Sequence, residues 1–199
     1  MKRILLSTLL TLGLAVGALA QSPQAVIKET TDTIVTQLKA PNVQGDEKKN
    51  ARRQIVRGAM EKRFAWEDSA RACLGPQWLK RTPAEKTEFV QLFSEFLKDT
   101  YSEKIATYYA DLDTIAYRGE KILDGDYASV KLVITTKAKV EHPVEYRMEK
   151  TANGWQVYDV VIEGVSLVKN YRDQFDAIIA KSSYEGLIKE IKARHPASL

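Results

Sequence analysis

Cysteine is almost absent from this sequence, since Cys73 is the only one among 199 residues. A single cysteine excludes an internal disulfide, so the stability of the fold must come from packing. The neighbours Ala72 and Leu74 are apolar, and such surroundings are typical of a buried, unreactive thiol. We therefore predict a structural role for Cys73 rather than a catalytic one.

Histidine is also scarce, with His142 beside Pro143 and His195 near the C-terminal end. Neither has other ligand-type residues at the spacing that a metal site requires. The sequence contains no glycine-rich phosphate loop and no Gly-x-Ser-x-Gly elbow. Because little could orient either histidine, a Ser-His-Asp hydrolase is disfavoured. We predict no metal and no cofactor, and carboxylate chemistry is the one catalytic possibility that remains.

Only one long apolar run is present, at residues 4–16. Lys2 and Arg3 precede it and Ala18-Leu19-Ala20 follows it, which is the pattern of a signal peptide with a cleavage site. The run is short for a membrane span and is not closed by basic residues. We predict a signal peptide at residues 1–20 and one exported mature domain, residues 21–199.

A strong charge of one sign is missing as well. The signal peptide accounts for two of the 30 basic side chains, and the remaining 28 are nearly balanced by 26 acidic ones. The two signs are interleaved along the chain, so no basic patch of the kind that binds nucleic acid is expected.

Helical patterns fill the first half of the chain. Pro23 is typical of the first turn of a helix, Asp46 is a suitable N-cap for a second helix, and Gly75 ends a short helix over residues 65–74. Thr82-Pro83-Ala84-Glu85 is a capping box that predicts a long helix ending near Tyr109. Its apolar stripe is wide and aromatic, and such a stripe either belongs to a filled core or forms the wall of a cavity.

Strand patterns dominate from residue 115 onward. A bulge is expected at Arg118-Gly119, a turn at Asp124-Gly125-Asp126, and a half-buried strand from 130 to 140. A turn at residues 141–143 leads to an alternating strand over 144–149. A near-continuous apolar strand over 155–162 then breaks at Glu163-Gly164, and Ser166 is a suitable N-cap for the helix that follows.

The turn before the last strand decides which of its residues face inward. A three-residue Ala152-Asn153-Gly154 loop keeps one face apolar, with Tyr146 opposite Val160 and Met148 opposite Tyr158. Asp159 then faces outward together with Val157 and Val161. The same reasoning across the preceding turn places Ala138 opposite Tyr146 and Thr136 opposite Met148.

These patterns predict an α+β fold in which a curved antiparallel sheet packs against several helices. Periodicity is the same for a filled core and for an apolar cavity, so it leaves both open. A sheet and helices of this kind can also hold a buried Asp and Tyr, as in ketosteroid-isomerase-like enzymes. Asp159 could act in that way, although its predicted outward position favours an ion pair at the surface.

The closing motif, WQVYDVVIEGVSLVKNYRDQF at residues 155–175, resembles the periplasmic phospholipid-carrier family of the maintenance-of-lipid-asymmetry (Mla) pathway, also called the toluene-tolerance family. RFAWEDSARACLG at residues 63–75 and the helix opened by Thr82 extend the resemblance over essentially the whole mature chain. It implies a nuclear-transport-factor-2-like fold that encloses the acyl chains of a phospholipid, with the headgroup near the surface.

The resemblance further implies a soluble periplasmic carrier without enzymatic activity. Its expected partners are a phospholipid ligand, an inner-membrane ABC-type lipid transporter complex and an outer-membrane lipoprotein/porin complex. The alternatives are a ketosteroid-isomerase-like enzyme and a non-enzymatic envelope adaptor with a filled core. The residues expected to wall an acyl-chain cavity are Phe96, Tyr101, Ile105, Tyr108, Leu132, Ile134, Val144, Tyr146, Met148, Val160, Ile162 and Val165.

The signal-peptide prediction is tested by the first residue of the protein recovered from the periplasm. We expect N-terminal sequencing to find Gln21, because the small residues Ala18 and Ala20 suit the peptidase. Retention of Met1 together with membrane association would contradict the prediction.

Overall fold

The computed structural model describes residues 21–194. The predicted signal peptide and His195 therefore lie outside the described residues. The helices are α1 (Pro23–Leu38), α2 (Lys49–Arg63), α3 (Trp66–Leu74), α4 (Pro83–Ala110), α5 (Leu167–Lys181) and α6 (Tyr184–Arg194). The strands are β1 (Leu112–Asp124), β2 (Tyr127–Thr136), β3 (Glu141–Thr151), β4 (Gly154–Ile162) and β5 (Val165–Ser166).

Helix α4 is the longest element, with 28 residues, or about 42 Å at 1.5 Å per residue. The predicted capping box that opens it is confirmed. Thr82 Oγ1 accepts the Glu85 N–H at 3.2 Å, and Glu85 Oε2 accepts the Thr82 N–H at 2.7 Å. These two bonds satisfy backbone donors that the first turn of a helix leaves unpaired.

The start of α2 differs from the prediction, because Asp46 is not its N-cap. Gly45 adopts a positive φ of 92°, and Asp46 begins a short 3-10 turn that precedes the helix. Arg52 Nη1 donates to the carbonyl oxygens of Val43 and Gly45, at 2.8 and 2.7 Å, and so holds this loop against the helix.

A ladder of ion pairs fixes α2 alongside α4. Arg57 is paired with both Glu95 and Asp99, and Arg53 Nη2 lies 2.5 Å from the same Asp99 carboxylate. Lys98, which is buried, joins Glu95 and Glu61 at 2.5 and 2.6 Å. By contrast, α2 buries few apolar side chains.

The five strands form one antiparallel sheet in the order β1-β2-β3-β4-β5, curved over the helices, so the predicted α+β class is confirmed. The bulge expected at Arg118-Gly119 is present as a register shift between Tyr117 and Gly119. Bulges increase the local twist of a strand and bend it, which accounts for part of the curvature.

The prediction that the second strand continues to residue 140 is wrong. Strand β2 ends at Thr136, where Lys139 with a φ of 62° reverses the chain and the Thr136 N–H donates to the Val140 carbonyl at 3.0 Å. Val130 rather than Ala138 therefore lies opposite Tyr146, and Ala128 rather than Thr136 lies opposite Met148. The alternation of polar and apolar residues in the sequence continues through this tight turn, so the pattern did not indicate the turn.

The predicted register of β3 with β4 is correct for one residue pair and wrong for the other. Tyr146 pairs with Val160, as expected, but Met148 pairs with Val157 rather than Tyr158. The loop has two residues, because Thr151 pairs with Gly154, and a bulge at Tyr158 then shifts the remainder of the strand. The bulge changes the direction of the side chains, so Val157 is fully buried on the same side as Val160.

Asp159 and Val161 were predicted to face outward, and the structure buries both, at 3% and 8% exposure. Asp159 accepts hydrogen bonds from Ser166 Oγ at 2.6 Å, from the Val168 backbone N–H at 3.0 Å and from Arg147 Nη1 at 3.2 Å. The ion pair was anticipated, but it anchors the first turn of α5 to the sheet instead of lying at the surface.

Three apolar clusters support the fold. The first joins α3, α4, α5 and α6 through stacked and edge-on aromatic rings, including Phe89, Phe93 and Phe175. Cys73 lies in it, fully buried as predicted, and burial raises the pKa of its thiol. The second cluster packs α1 on the sheet, and the third joins α1, α2 and the C-terminal half of α4.

Asp159 should contribute strongly to stability because three donors depend on its carboxylate. We expect Asp159→Ala to lower the free energy of unfolding by about 3 kcal/mol, since it leaves three partly buried donors without this partner. Urea denaturation measures this. The matched control is Asp173→Ala on α5, an exposed ion-pair partner of Lys169, whose removal should change stability by less than about 0.5 kcal/mol. Equal effects of the two substitutions would contradict the anchoring role.

Candidate ligand-binding site

A cavity of about 330 Å³ lies between the helices and the sheet. This volume is at the lower end of the range of small-molecule pockets, about 300–1,000 Å³. Its wall is mostly apolar and is built from α1, α2 and α4 on one side and β2, β3 and β4 on the other. The apolar members are Ile27, Ile34, Val56, Ala59, Met60, Phe64, Leu97, Tyr101, Ile105, Tyr108, Tyr109, Ile134, Val144, Tyr146, Val157, Val160, Ile162 and Leu167.

Eight of the residues expected to wall a cavity line this one. They come from the C-terminal half of α4 and from three neighbouring strands, so one helix face and one sheet face meet across the space. Their contact with a ligand stays a prediction. The eight are Tyr101, Ile105, Tyr108, Ile134, Val144, Tyr146, Val160 and Ile162.

The remaining four expected residues do not line the cavity. Phe96 packs edge-on against Tyr171, with ring centroids 5.1 Å apart, in the cluster of α3 to α6. Leu132 and Met148 are buried where α1 packs on the sheet. Val165 is 57% exposed at the sheet edge. Apolar periodicity is the same in all these settings, so it did not separate the cavity from the filled core.

The wall contributed by α1 and α2 was not predicted. Ile27, Ile34, Val56 and Met60 recur at helical spacing in the sequence, which was a signal for a buried face but not for this cavity. Arg63 also lines the cavity, and no local pattern indicates that position, because it depends on how α1, α2 and β4 converge.

Two tyrosines form a polar point within the apolar wall. Burial raises the pKa of Tyr146 to about 12 and raises that of Tyr109 well above its usual value. The two hydroxyls share a hydrogen bond, and nearby the Tyr117 hydroxyl lies 2.5 Å from Thr31 Oγ1. These phenols remain neutral and hydrogen-bonded, so this part of the wall presents no charge to a ligand.

The cavity reaches the surface between α4, the start of β3 and the end of β4. Tyr108 and Ile162 are 46% and 37% exposed there, and Lys104 is exposed beside them. The His142 ring packs on Tyr108 with centroids 5.2 Å apart, and its Nδ1 lies 2.7 Å from Glu163 Oε1. An apolar chain can enter or leave the cavity at this mouth.

Comparison with known proteins gives one family and several relatives. The family model described as "MlaC protein" matches residues 28–193. The toluene tolerance protein ttg2D of Pseudomonas putida is 26% identical over 157 residues, which cover 78% of this chain and 72% of that protein. The intermembrane phospholipid transport system binding protein MlaC of Haemophilus influenzae is 23% identical over 176 residues, 86% of this chain and 81% of that one.

A solved structure shares the fold. The phospholipid-binding protein from Ralstonia solanacearum, in complex with a phospholipid, aligns with a TM-score of 0.73 and 25% identity. The alignment covers 88% of this chain and 97% of that chain. The likeness therefore extends over most of the chain.

The carboxylates that an enzyme would need lie outside the cavity. Asp159 is bound to the start of α5, and the buried Glu149 lies beside Asp68 near α3. Within residues 21–194 no cluster of three or more metal-type ligands is found. Over the same residues, no helix has both the length and the apolar character needed to cross a membrane. The arrangement that the isomerase alternative required, Asp159 with a tyrosine in the cavity, is thus not formed.

Glu149 should make stability depend on pH. It is 8% exposed, and burial, followed by the neighbouring Asp68 carboxylate, raises its pKa from 4.5 to about 8. An acid that holds its proton more tightly when folded stabilises the fold below its unfolded pKa, and that contribution is lost as the pH rises to the folded pKa. Wild-type melting temperature should therefore fall between pH 4.5 and about 8.

We expect Glu149→Gln, which stays neutral at every pH, to reduce this fall and to be more stable than wild type at the alkaline end. Glu141→Gln, at the exposed start of the same strand, is the matched control and should follow the wild-type profile. Melting curves across the pH range measure both. A Glu149→Gln profile that parallels wild type would contradict the assignment.

Proposed function

The chain belongs to the MlaC protein family, and on that premise we propose that it is a periplasmic phospholipid carrier whose cavity holds acyl chains. The observation that carries the proposal is the apolar cavity of about 330 Å³ that opens at the Tyr108–His142 mouth. A chain of the same fold has been solved with a phospholipid bound. The names of the relatives, toluene tolerance and phospholipid transport, support the same role.

The energetics of lipid transfer suit such a cavity. Two acyl chains carry roughly 25–30 methylenes, each about 0.8 kcal/mol more favourable in an apolar environment than in water. A bilayer already provides that free energy, so a carrier has to match most of it with walls that are equally apolar. The difference between carrier and bilayer can then be small, which permits both loading and release.

The route that we propose runs between two membranes. By family membership, the donor and acceptor complexes are an outer-membrane lipoprotein/porin complex and an inner-membrane ABC-type lipid transporter. A cavity with an exposed apolar mouth suits hand-over of a chain to such a complex, because the chain moves from one apolar surface to another without crossing water.

A matched pair of substitutions on β2 tests the cavity. Ile134 lines it, while the adjacent Val133 does not, and both side chains are half-buried. We expect Ile134→Glu to co-purify with little or no phospholipid, because a carboxylate in the wall either stays charged at a cost of several kcal/mol or takes up a proton. Val133→Glu should keep its lipid. Organic extraction followed by lipid mass spectrometry measures the ligand.

Circular dichroism and melting curves establish that both variants fold. If Val133→Glu loses its lipid and Ile134→Glu keeps it, the cavity is assigned to the wrong face of the sheet. If wild-type protein carries no phospholipid and takes none from vesicles, the carrier proposal is wrong and a non-enzymatic envelope adaptor is the better description.

A further inference from the structure

Arg63, the last residue of α2, is a cation in the wall of the apolar cavity. Its Nε–H donates to Thr30 Oγ1 at 2.9 Å, and Nη1 donates to the Trp155 carbonyl at 3.3 Å. Thr30 Oγ1 in turn donates its proton to the Val26 carbonyl at 2.8 Å, which leaves a lone pair directed at the guanidinium. Helix α1 and strand β4 thus fix the position of the Arg63 head.

Most of the hydrogen-bonding capacity of Arg63 is unused. A guanidinium has five N–H donors, and the two bonds above are those it forms with residues 21–194. No carboxylate of those residues lies within ion-pair distance, whereas Arg57 on the same helix is paired with Glu95 and Asp99. Burial lowers the pKa of Arg63, and the negative charge of Glu29 partly opposes this shift without forming an ion pair.

A half-buried cation without an anion is unfavourable in apolar surroundings, and a ligand that supplies the anion removes that penalty. Guanidinium matches phosphate oxygens particularly well because its planar donors bind two oxygens in parallel. Arg63 and the satisfied tyrosines therefore play different parts in the wall. The tyrosine hydroxyls have hydrogen-bond partners without a ligand, whereas most N–H donors of Arg63 do not.

The position of Arg63 is distinct from the mouth described above. It lies beside the Trp155 carbonyl near the start of β4, while the mouth lies beside Ile162 at the end of that strand. Seven residues of strand separate these points, which corresponds to roughly 20 Å. Lys104 at the mouth is exposed, and its Nζ lies 5.8 Å from the centroid of the Tyr101 ring. Among the described residues it forms no hydrogen bond or ion pair, so its head is held less firmly than that of Arg63.

We propose that Arg63, positioned by Thr30, binds the phosphate group of a lipid at the end of the cavity opposite the Tyr108–His142 mouth. This subsite rests on the proposed carrier function. The lipid phosphate occupies the unused Nη donors, and the acyl chains run along β4 toward the mouth. The subsite adds selection for a phosphorylated lipid to a wall that is otherwise selective only for apolar chains.

Paired vesicle assays test the subsite. The donors are vesicles that contain a phospholipid or the diacylglycerol with the same two chains, which lacks only the phosphorylated headgroup. We expect lipid-free wild type to take up the phospholipid in preference, and Arg63→Gln to reduce that preference about tenfold or more, as loss of a charge-assisted hydrogen bond implies. Arg63→Lys should retain part of it, because the charge remains while the fork is lost.

The control is Lys62→Gln, which removes an exposed cation from the adjacent position on α2 and should keep the wild-type preference. Melting curves report folding. If Arg63→Gln lowers uptake of both lipids equally, Arg63 only supports the wall and the subsite is overturned. If Lys104→Gln erases the preference and Arg63→Gln does not, the phosphate lies at the mouth and the proposal is wrong.

A third arm separates a lipid phosphate from free phosphate. Inorganic phosphate is titrated into lipid-free protein and followed by phosphorus NMR. Binding that depends on Arg63, without any change in lipid preference, would assign the subsite to free phosphate and overturn the lipid assignment. Wild type that takes up neither lipid would refute the carrier function itself, an outcome distinct from phospholipid uptake that is indifferent to Arg63.

Discussion

The unfilled space in this protein depends on a change of packing partner along helix α4. In its first half, Phe89 and Phe93 contact aromatic rings from α5 and α6, and both are fully buried. In its second half, Tyr101 and Ile105 face the sheet. Bulges in β1 and β4 twist and bend the sheet here, and the cavity lies between it and this half of the helix. The tightly packed half therefore supplies stability, which allows the other half to remain open.

One bulge in strand β4 decides which of its side chains line the cavity and which contact the rest of the fold. The extra residue at Tyr158 puts Val157 and Val160 on the cavity side although they are three positions apart. It also turns Asp159 to the opposite side, where the carboxylate binds the first turn of α5. A regular strand would place Asp159 and Val157 on the same face. The bulge thus permits an apolar wall and a buried anchor within three residues.

Sequence patterns predicted the features whose causes are local. The capping box at Thr82 and the pairing of Tyr146 with Val160 depend on residues close in the chain or on strict alternation, and both are present. Features that depend on distant segments were not predictable. Phe96 and Tyr101 both belong to the wide apolar stripe of α4, yet the first is buried within a filled cluster and the second, at the edge of that cluster, also lines the cavity. What decides between them is which element lies opposite.

The manner in which α2 is held bears on how a lipid fits. A two-chain phospholipid is larger than the ligands that pockets of about 330 Å³ usually hold, so loading requires the walls to separate. Helix α2 buries only Val56 and Met60 among its side chains, and ion pairs such as Arg57 with Glu95 attach it to α4. Charged side chains regain hydration when they move into water, whereas apolar side chains are stabilised by staying out of it. A wall attached in this way can move outward with little loss of apolar burial, whereas displacement of the aromatic half of α4 would disrupt the core.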